Sequence, residues 1–256
     1  RVQRLRRLVA RRSLREAERA FVVEGPTLLA EALAAGMPVE SVFVAPGGDG
    51  PAVEAAYASG ARVHRLAPGV LERVAGTVTP QPVLAVVPAI DVPLSQARTA
   101  TLVVVCIEVR DPGNAGTIVR SAEASGAGAV VFCRGSVEAF NPKTVRASAG
   151  SLFHVSVVSG GEPVEVLEQI GAWGLRRLAT VARGGTPYTT TDLRRPVALL
   201  LGNEAHGLPP AVEAHVDLGV SIPMPGRTES LNVGMAAAVL CFEAVRQRSE
   251  PGPAWT

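Results

Sequence analysis

Short apolar runs alternate with helical patterns along the chain, and they fall into two groups. In the first group, strand-length apolar runs are separated by segments in which leucine and alanine recur every three or four positions. This alternation predicts a small α/β unit over residues 1–88. We predict strands at 21–25, 39–45, 61–66 and 83–89, and helices within 1–19, from Pro26 to Gly36 and at 51–59.

The second group opens with a continuous apolar run at 101–109, typical of a parallel strand that is covered on both faces. It predicts a mostly parallel, doubly wound α/β sheet, in which ligands bind outside the carboxyl ends of the strands. Further strands are expected at 129–132, 153–158, 176–182, 197–202 and 218–224, and helices at 115–126, 162–172 and 231–247. The proline-containing stretch between the groups predicts a linker. The expected domains are therefore 1–88, a linker at 89–99, and 100–256.

Arginine is concentrated at the start of the chain. The formal net charge is only +2, yet residues 1–20 hold eight arginines against Glu16 and Glu18. Codon bias would explain the general preference for arginine over lysine, whereas phosphate contact explains the cluster better. We therefore expect Arg7, Arg11 and Arg12 to contact phosphate groups. Aromatic residues make up only 4% of the chain, which weakens any interpretation based on stacked single-stranded bases.

The cysteines and the apolar runs exclude several classes of protein. Cys106, Cys133 and Cys241 are far apart in apolar runs, and an odd count without a CxxC pair argues against a disulfide framework and a zinc site. We therefore expect no metal. No apolar run is long enough to span a bilayer, so we expect a cytoplasmic protein without membrane contact.

Three polar loops follow predicted strands, at 111–117, 202–207 and 226–230. Their common position predicts one composite ligand site. The first loop has GxxG spacing rather than GxGxxG, which disfavours a dinucleotide site. None of the loops supplies a nucleophile with a base and an orienting group, so hydrolysis is unsupported. The remaining groups are backbone, Asn, Ser, Glu and Arg, which suit a cofactor and a phosphorylated substrate.

The same loops carry a family resemblance. NAGTIVRSAEASGA (114–127), LLLGNEAHGL (199–208) and SIPMPGRTESLNVGMAAAVLCFEAVRQR (221–248) closely resemble the three motifs of the SpoU (TrmH-type) family of RNA ribose 2′-O-methyltransferases, in the SPOUT superfamily. Residues 141–155 resemble the segment between its first two motifs. Residues 21–33 and 77–87 resemble the small N-terminal substrate-binding domain that many members carry.

The resemblance implies a fold, a cofactor and site residues. It implies a deep C-terminal trefoil knot that binds S-adenosylmethionine, and a homodimer formed through that knotted domain. The implied cofactor contacts are Gly202, Ile222 and Leu231, and we expect the same pocket to include Thr180, Val181, Ala182, Asn203 and Met224. The family's polar active-site set matches Asn114, Arg120, Glu204, Ser230 and Asn232, and its RNA-holding arginine matches Arg146. Because the family acts on RNA, the resemblance also implies that Arg7, Arg11 and Arg12 bind RNA. Pro225 and Arg227–Glu229 lie in a variable part of the third motif and receive no role.

The implied reaction is attack of a ribose 2′-hydroxyl on the cofactor methyl group, which demands mainly positioning. The family's proposed base matches Arg120. Because a guanidinium stays protonated at neutral pH, we expect Arg120 instead to stabilise the developing alkoxide and hold the adjacent phosphate, with the proton passing to water. The favoured substrate is 23S ribosomal RNA, and this expectation includes an antibiotic-resistance methylase that acts on it. The alternatives are a tRNA ribose 2′-O-methyltransferase and a non-catalytic RNA-binding protein of the same fold.

Overall fold

The chain divides into two compact units in a computed structural model that describes residues 1–75 and 79–249. The first unit comprises Arg1–Ile90 together with Glu138–His154, and the second comprises Asp91–Val137 together with Val155–Thr256. Thr77 and Val78, at the start of the family-like segment 77–87, lie outside the described residues.

The first unit is built on a four-stranded mixed sheet with the order β1-β4-β2-β3. β4 pairs antiparallel with both β1 and β2, and β2 pairs parallel with β3. The strands are β1 (Ala20–Glu24), β2 (Ser41–Val44), β3 (Arg62–Arg65) and β4 (Val83–Pro88). Numbered in chain order, the helices of this unit are α1 (Val2–Ala10), α2 (Arg12–Glu18), α3 (Pro26–Ala34), α4 (Pro51–Ala58) and α6 (Pro142–Ala147).

The segment Glu138–His154 packs entirely within the first unit, although the sequence pattern predicts it within the domain 100–256. The Phe140 ring stacks on Phe21, with ring centroids 4.8 Å apart. Arg146 Nη1 donates to Glu24 Oε2 at 2.7 Å, and His154 Nε2 lies 3.1 Å from Glu31 Oε2. Aromatic and ionic contacts therefore fix this segment to strand β1 and its neighbours.

Within this segment, the structure corrects one predicted strand boundary and adds one helix that was not predicted. The predicted strand at 153–158 begins only at Ser156, because Ser151–Phe153 forms a 3-10 turn in the first unit. The Phe153 ring stacks on Phe21 at 6.3 Å, which holds the turn away from strand geometry. Helix α6 was not predicted, since its six residues are too few to show a helical period.

The second unit is built on a seven-stranded sheet with the order β7-β6-β5-β10-β8-β11-β9, and every neighbouring pair is parallel. This confirms the predicted α/β class with a parallel sheet. The strands are β5 (Leu102–Cys106), β6 (Ala129–Phe132), β7 (Ser156–Ser159), β8 (Arg176–Thr180), β9 (Thr186–Pro187), β10 (Val197–Leu201) and β11 (Leu218–Ser221). The helices are α5 (Pro112–Ala124), α7 (Pro163–Ala172), α8 (Pro210–Glu213) and α9 (Val233–Arg248). The trefoil knot stays a prediction.

Strands β5 and β11 end well before the apolar runs that predicted them. β5 stops at Cys106 rather than 109, and Glu108 then adopts a positive φ of 57°. β11 stops at Ser221 rather than 224, where Pro223 follows. Proline cannot supply the N–H of a central strand, and a positive φ breaks extended geometry. The residues after Cys106 and Ser221 therefore belong to the loops that follow the two strands.

Helices α5 and α9 pack against each other through small residues. A Cβ atom built on Gly234 of α9 would lie 3.0 Å from Thr117 Cγ2 of α5, so glycine permits this approach. Gly116 and Ala237 are buried. These small residues bring the starts of α5 and α9 together. No helix among residues 1–75 and 79–249 is long and apolar enough to cross a membrane.

Candidate active site

A cavity of about 300 Å³ opens at the carboxyl ends of three neighbouring strands of the second unit. Its walls come from the loops that follow β8, β10 and β11, and from the start of α9. A parallel sheet brings such loops to one edge, where ligands bind. All eight residues predicted to bind the cofactor line this cavity: Thr180, Val181, Ala182, Gly202, Asn203, Ile222, Met224 and Leu231.

The loop after β10 is fixed by its own hydrogen bonds. Asn203 and Gly207 exchange two backbone hydrogen bonds of 2.9 Å, and the Asn203 side chain donates to the Glu108 carbonyl at 3.0 Å and accepts from the Ala205 amide at 2.9 Å. Gly202 is required because a Cβ there would lie 2.6 Å from the Gly207 carbonyl carbon. The Asn203 side chain thus shapes the loop.

Three predicted active-site side chains form a hydrogen-bonded chain at the start of α9. Asn232 Oδ1 accepts from the Gly234 and Met235 amides at 2.9 and 3.3 Å, which caps the helix. Asn232 Nδ2 donates to Asn114 Oδ1 at 2.8 Å, and Asn114 Nδ2 donates to Glu204 Oε1 at 2.8 Å. Each amide is oriented by its neighbour, and the chain ends on a carboxylate. Within residues 1–75 and 79–249, the second Nδ2 hydrogens and Glu204 Oε2 have no further hydrogen-bond partner.

Ser230 and Arg120 are placed differently from this chain. Ser230 is exposed and lines the cavity together with Glu204. Arg120 lies on α5, six residues after Asn114, and its side chain is exposed. Within the described part of the chain, Arg120 has no carboxylate partner and is not among the residues that line the cavity. The structure therefore brings together four of the five predicted polar residues and leaves Arg120 facing solvent.

The four arginines predicted to bind RNA lie in the first unit. Arg7, Arg11 and Arg12 are exposed on or beside α1 and α2, and Arg12 forms an exposed ion pair of 2.7 Å with Glu16. Arg146 is different, because its side chain is only 30% exposed and pairs with the buried Glu24. An RNA phosphate at Arg146 would therefore either share the guanidinium with Glu24 or displace this carboxylate.

Several residues of the cavity wall were not predicted. Val220, Val233, Ala236 and Leu240 complete its apolar surface, while Arg183 and Glu229 stand at its charged side. The apolar group lies on β11 and α9 and could have been found from its strand and helix positions. Arg183 and Glu229 lie in loops with no periodic pattern, so the sequence carries no signal for them.

The lining fits S-adenosylmethionine chemically. Apolar side chains such as Val181, Ile222 and Leu240 suit an adenine ring, and the carboxylates of Glu204 and Glu229 suit a cofactor that carries sulfonium and ammonium charges. The volume lies near the lower end of the range for small-molecule pockets, roughly 300–1,000 Å³.

The buried thiols provide no nucleophile. Burial raises the pKa of Cys133 to about 12 and that of Cys241 to about 11, and burial raises the pKa of Cys106 well above its ordinary value. A thiol reacts as its thiolate, so these groups are inert at neutral pH. In the described ranges, no group of three or more His, Cys, Asp or Glu side chains is arranged to hold a metal ion. The fold and the cavity define an α/β protein with a ligand-sized pocket at the carboxyl ends of its parallel strands.

Comparison with known proteins identifies the family. Residues 101–242 match the SpoU rRNA methylase family, and residues 1–85 match the MRM3-like substrate-binding domain. The protein of Bacillus subtilis (strain 168) named 23S rRNA (guanosine(2553)-2′-O)-methyltransferase RlmP is 35% identical over 222 residues, which cover 87% of each chain. The 23S rRNA (uridine(2479)-2′-O)-methyltransferase of Streptomyces viridochromogenes is 38% identical over 179 residues, covering 66% of this chain and 61% of the relative.

Solved structures agree over both units. The SpoU methyltransferase AviRb of Streptomyces viridochromogenes, in complex with the cofactor AdoMet, superimposes with a TM-score of 0.86 at 30% identity, covering 96% of this chain and 98% of that one. An AdoMet-bound rRNA methyltransferase of Sinorhizobium meliloti gives a TM-score of 0.84 at 30% identity, covering 96% of this chain and 94% of that one.

The chain belongs to the SpoU rRNA methylase family. It is an RNA 2′-O-methyltransferase, and S-adenosylmethionine is its methyl donor. The predicted family, fold class, activity and cofactor are confirmed. The alternative of a non-catalytic RNA-binding protein is thereby set aside, as is a dinucleotide-dependent oxidoreductase.

Proposed function

We propose that this enzyme methylates a ribose 2′-hydroxyl of 23S ribosomal RNA, with the cofactor in the cavity at the ends of β8, β10 and β11. The observation that carries this proposal is the meeting of that cavity with the chain of Asn232, Asn114 and Glu204. Two relatives support the substrate, because their names specify 23S rRNA, and one of them matches over 87% of each chain. A 23S rRNA substrate would also place the enzyme in the cytoplasm.

Transfer RNA is the weaker candidate substrate. Two solved structures named for tRNA, including a TrmH/SpoU enzyme of A. aeolicus, cover only 61% and 57% of this chain, with TM-scores of 0.51 and 0.52. The structures named for rRNA methyltransferases of Sinorhizobium meliloti cover 96%. Of these four structures, the two named for rRNA therefore match the first unit, which carries the exposed arginines, as well as the second.

The mechanism rests on positioning. When bound, S-adenosylmethionine supplies an electrophilic methyl group. We assign the cavity residues Gly202, Ile222 and Leu231 to holding the cofactor, largely through their backbone. Asn114 and Asn232 then hold the ribose through their remaining amide hydrogens, and Glu204 keeps both amides oriented. Orienting the reacting groups in this way removes much of the entropic part of the barrier.

We assign to Ser230 and Arg120 the stabilisation of the negative charge that develops on the ribose oxygen. Bound S-adenosylmethionine would supply the methyl group, and the 2′-hydroxyl that accepts it would release its proton to water. The exposed guanidinium of Arg120 stabilises the developing negative charge and the neighbouring phosphate, while the Ser230 hydroxyl donates a hydrogen bond. Arg120 stays protonated throughout, so it acts through its charge.

Methyl transfer to naked transcripts tests the substrate. Purified protein is incubated with tritiated S-adenosylmethionine and either unmodified 23S rRNA or a pool of unmodified tRNA. We expect label in the 23S transcript at one ribose, which mapping of alkali-resistant positions would locate. Label in tRNA alone would contradict the proposed substrate, and label on a base would contradict ribose methylation.

We further propose that the enzyme works as a homodimer through the outer face of α9. Met235 and Phe242 are large apolar residues that are 61% and 49% exposed, and they lie two turns apart on this helix. Ala238 and Val239, on the same face, are only partly buried. An exposed apolar stripe of this kind is typical of an interaction surface, and a second copy of the chain would cover it.

Charge placed on this face should separate the dimer. We expect wild-type protein to elute at twice the chain mass of 26.5 kDa in size-exclusion chromatography with light scattering, and Phe242→Glu combined with Met235→Glu to elute as a monomer. Tyr57→Glu is the matched control, because Tyr57 is 72% exposed but lies on α4 of the first unit. A dimer that persists with both charges on α9 would contradict the proposed interface.

A further inference from the structure

A second cavity, which we name the side cavity, adjoins the cofactor cavity. Its volume is about 210 Å³, and it lies between the loop after β8, at Ala182–Arg183, and the loop after β11, from Ser221 to Glu229. Ala182, Arg183, Ile222, Met224 and Glu229 line both cavities. The side cavity therefore opens beside the cavity that we assign to the cofactor.

The side cavity is charged, and one of its arginines is held weakly. Arg183 Nη2 lies 3.3 Å from Glu229 Oε1, and the two side chains are 78% and 83% exposed. Exposed ion pairs contribute little to stability, so another anion can replace the carboxylate. Arg227, which lines only the side cavity, has no ion-pair partner among residues 1–75 and 79–249. Thr228 adds a hydroxyl group to the same wall.

We propose that the side cavity binds a backbone phosphodiester of the RNA next to the target ribose. This inference deepens the proposed function and rests on it. Arg183 and Arg227 supply the positive charge, and Glu229 occupies Arg183 until the phosphate displaces it. A ribose has one phosphate on each side, and Arg120 is assigned to one of them. The side cavity would hold the other.

An RNA phosphate explains this cavity better than the cofactor's own carboxylate, which is also an oxyanion. Gly226, Arg227 and Thr228 line the side cavity and not the cofactor cavity, so a second arginine lies beyond the cofactor's walls. Guanidinium groups bind phosphate through two parallel hydrogen bonds, and phosphate contacts fix the register of a protein on a nucleic acid. A ribose methyltransferase needs that register to choose one nucleotide.

Glu229 gives the proposal a distinctive consequence. A carboxylate inside a phosphate site repels RNA and competes for Arg183, so neutralising it should strengthen RNA binding. A purely structural Glu229 would have the opposite effect when changed, because loss of the Arg183 contact would loosen the loop. The sign of the change in affinity therefore distinguishes the two roles.

Filter binding of unmodified 23S rRNA transcript, without cofactor and over a series of KCl concentrations, tests the side cavity. We expect Arg227→Gln and Arg183→Gln each to weaken binding, and the variant that combines them to lower the slope of log K against log salt by roughly 0.7–0.9, as for one lost phosphate contact. Glu229→Gln should tighten binding, and this gain should vanish in the double variant with Arg183→Gln. Arg195→Gln is the matched control. That arginine is 77% exposed and paired with Asp192, but it precedes β10 at the opposite edge of the sheet.

Calorimetry with S-adenosylmethionine separates the two oxyanions. Arg227→Gln should bind the cofactor like wild type, which also shows that it is folded. The proposal would be overturned if Arg227→Gln weakened cofactor binding but not RNA binding, if both arginine variants behaved like Arg195→Gln, or if Glu229→Gln weakened RNA binding. Wild-type protein that bound RNA with this arginine dependence but transferred no methyl group would contradict the proposed function and leave the phosphate site standing.

Discussion

Arg120→Ala is expected to lower the rate of methyl transfer by about 10²–10³-fold, which is the usual effect of removing one donor that faces a developing oxyanion. Arg120 is exposed on α5, and no described carboxylate neutralises it, so its charge is available to the substrate. Its removal leaves every residue of the cofactor cavity in place. Single-turnover methylation of 23S transcript measures the rate, and calorimetry with S-adenosylmethionine should give an unchanged dissociation constant.

Two further variants sharpen this expectation. Arg120→Lys keeps the charge but loses the forked geometry, so it should recover part of the rate. Arg195→Ala removes an exposed arginine at the amino-terminal end of β10 and should leave the rate unchanged. Retention of most of the wild-type rate by Arg120→Ala would show that Arg120 is a solvated surface charge, as its exposure alone would also suggest.

The sequence predicted the second unit well because its strands are buried on both faces. Continuous apolar runs gave β6 at its observed bounds, Ala129–Phe132, and gave β10 to within one residue. The parallel arrangement then followed from the alternation with helices, and it brings the three polar loops to one edge. The meeting of Asn114 with Glu204 and Asn232 was different. The strand pattern grouped the loops but carries no information on which of their side chains touch, and only the family resemblance selected these three residues.

The sequence failed where a segment joins a unit that is distant along the chain. Glu138–His154 follows β6 of the second unit, so local pattern assigned it to the domain 100–256, yet it packs in the first unit. Its partners Phe21 and Glu24 precede it by more than one hundred residues in the sequence. Local periodicity carries no information about contacts between residues so far apart in the sequence. Arg146 illustrates the consequence, because its predicted contact with RNA stays a prediction while its ion pair with Glu24 is a structural fact.

Arg15→Met tests how firmly Glu138–His154 is attached to the rest of the first unit. The substitution should lower the free energy of unfolding of this unit by about 3–5 kcal/mol. Arg15 and Glu138 form a two-pronged ion pair at 2.8 and 2.6 Å, with side chains only 4% and 9% exposed. Arg15 also donates to the Leu8 carbonyl at 2.6 Å, which joins α1 and α2 to the segment. Without the guanidinium, the Glu138 carboxylate is left buried and unpaired.

Hydrogen exchange of peptides from β1 and β4 measures the effect in the first unit alone, since a chain of two units need not unfold in one step. Arg15→Met combined with Glu138→Leu should recover most of the lost protection, because no buried charge then remains. Arg12→Gln is the control for an exposed pair and should change stability by less than about 1 kcal/mol. If Arg15→Met were no more harmful than Arg12→Gln, the buried pair would not hold Glu138–His154 in place. The aromatic stack of Phe140 on Phe21 would then be its principal attachment.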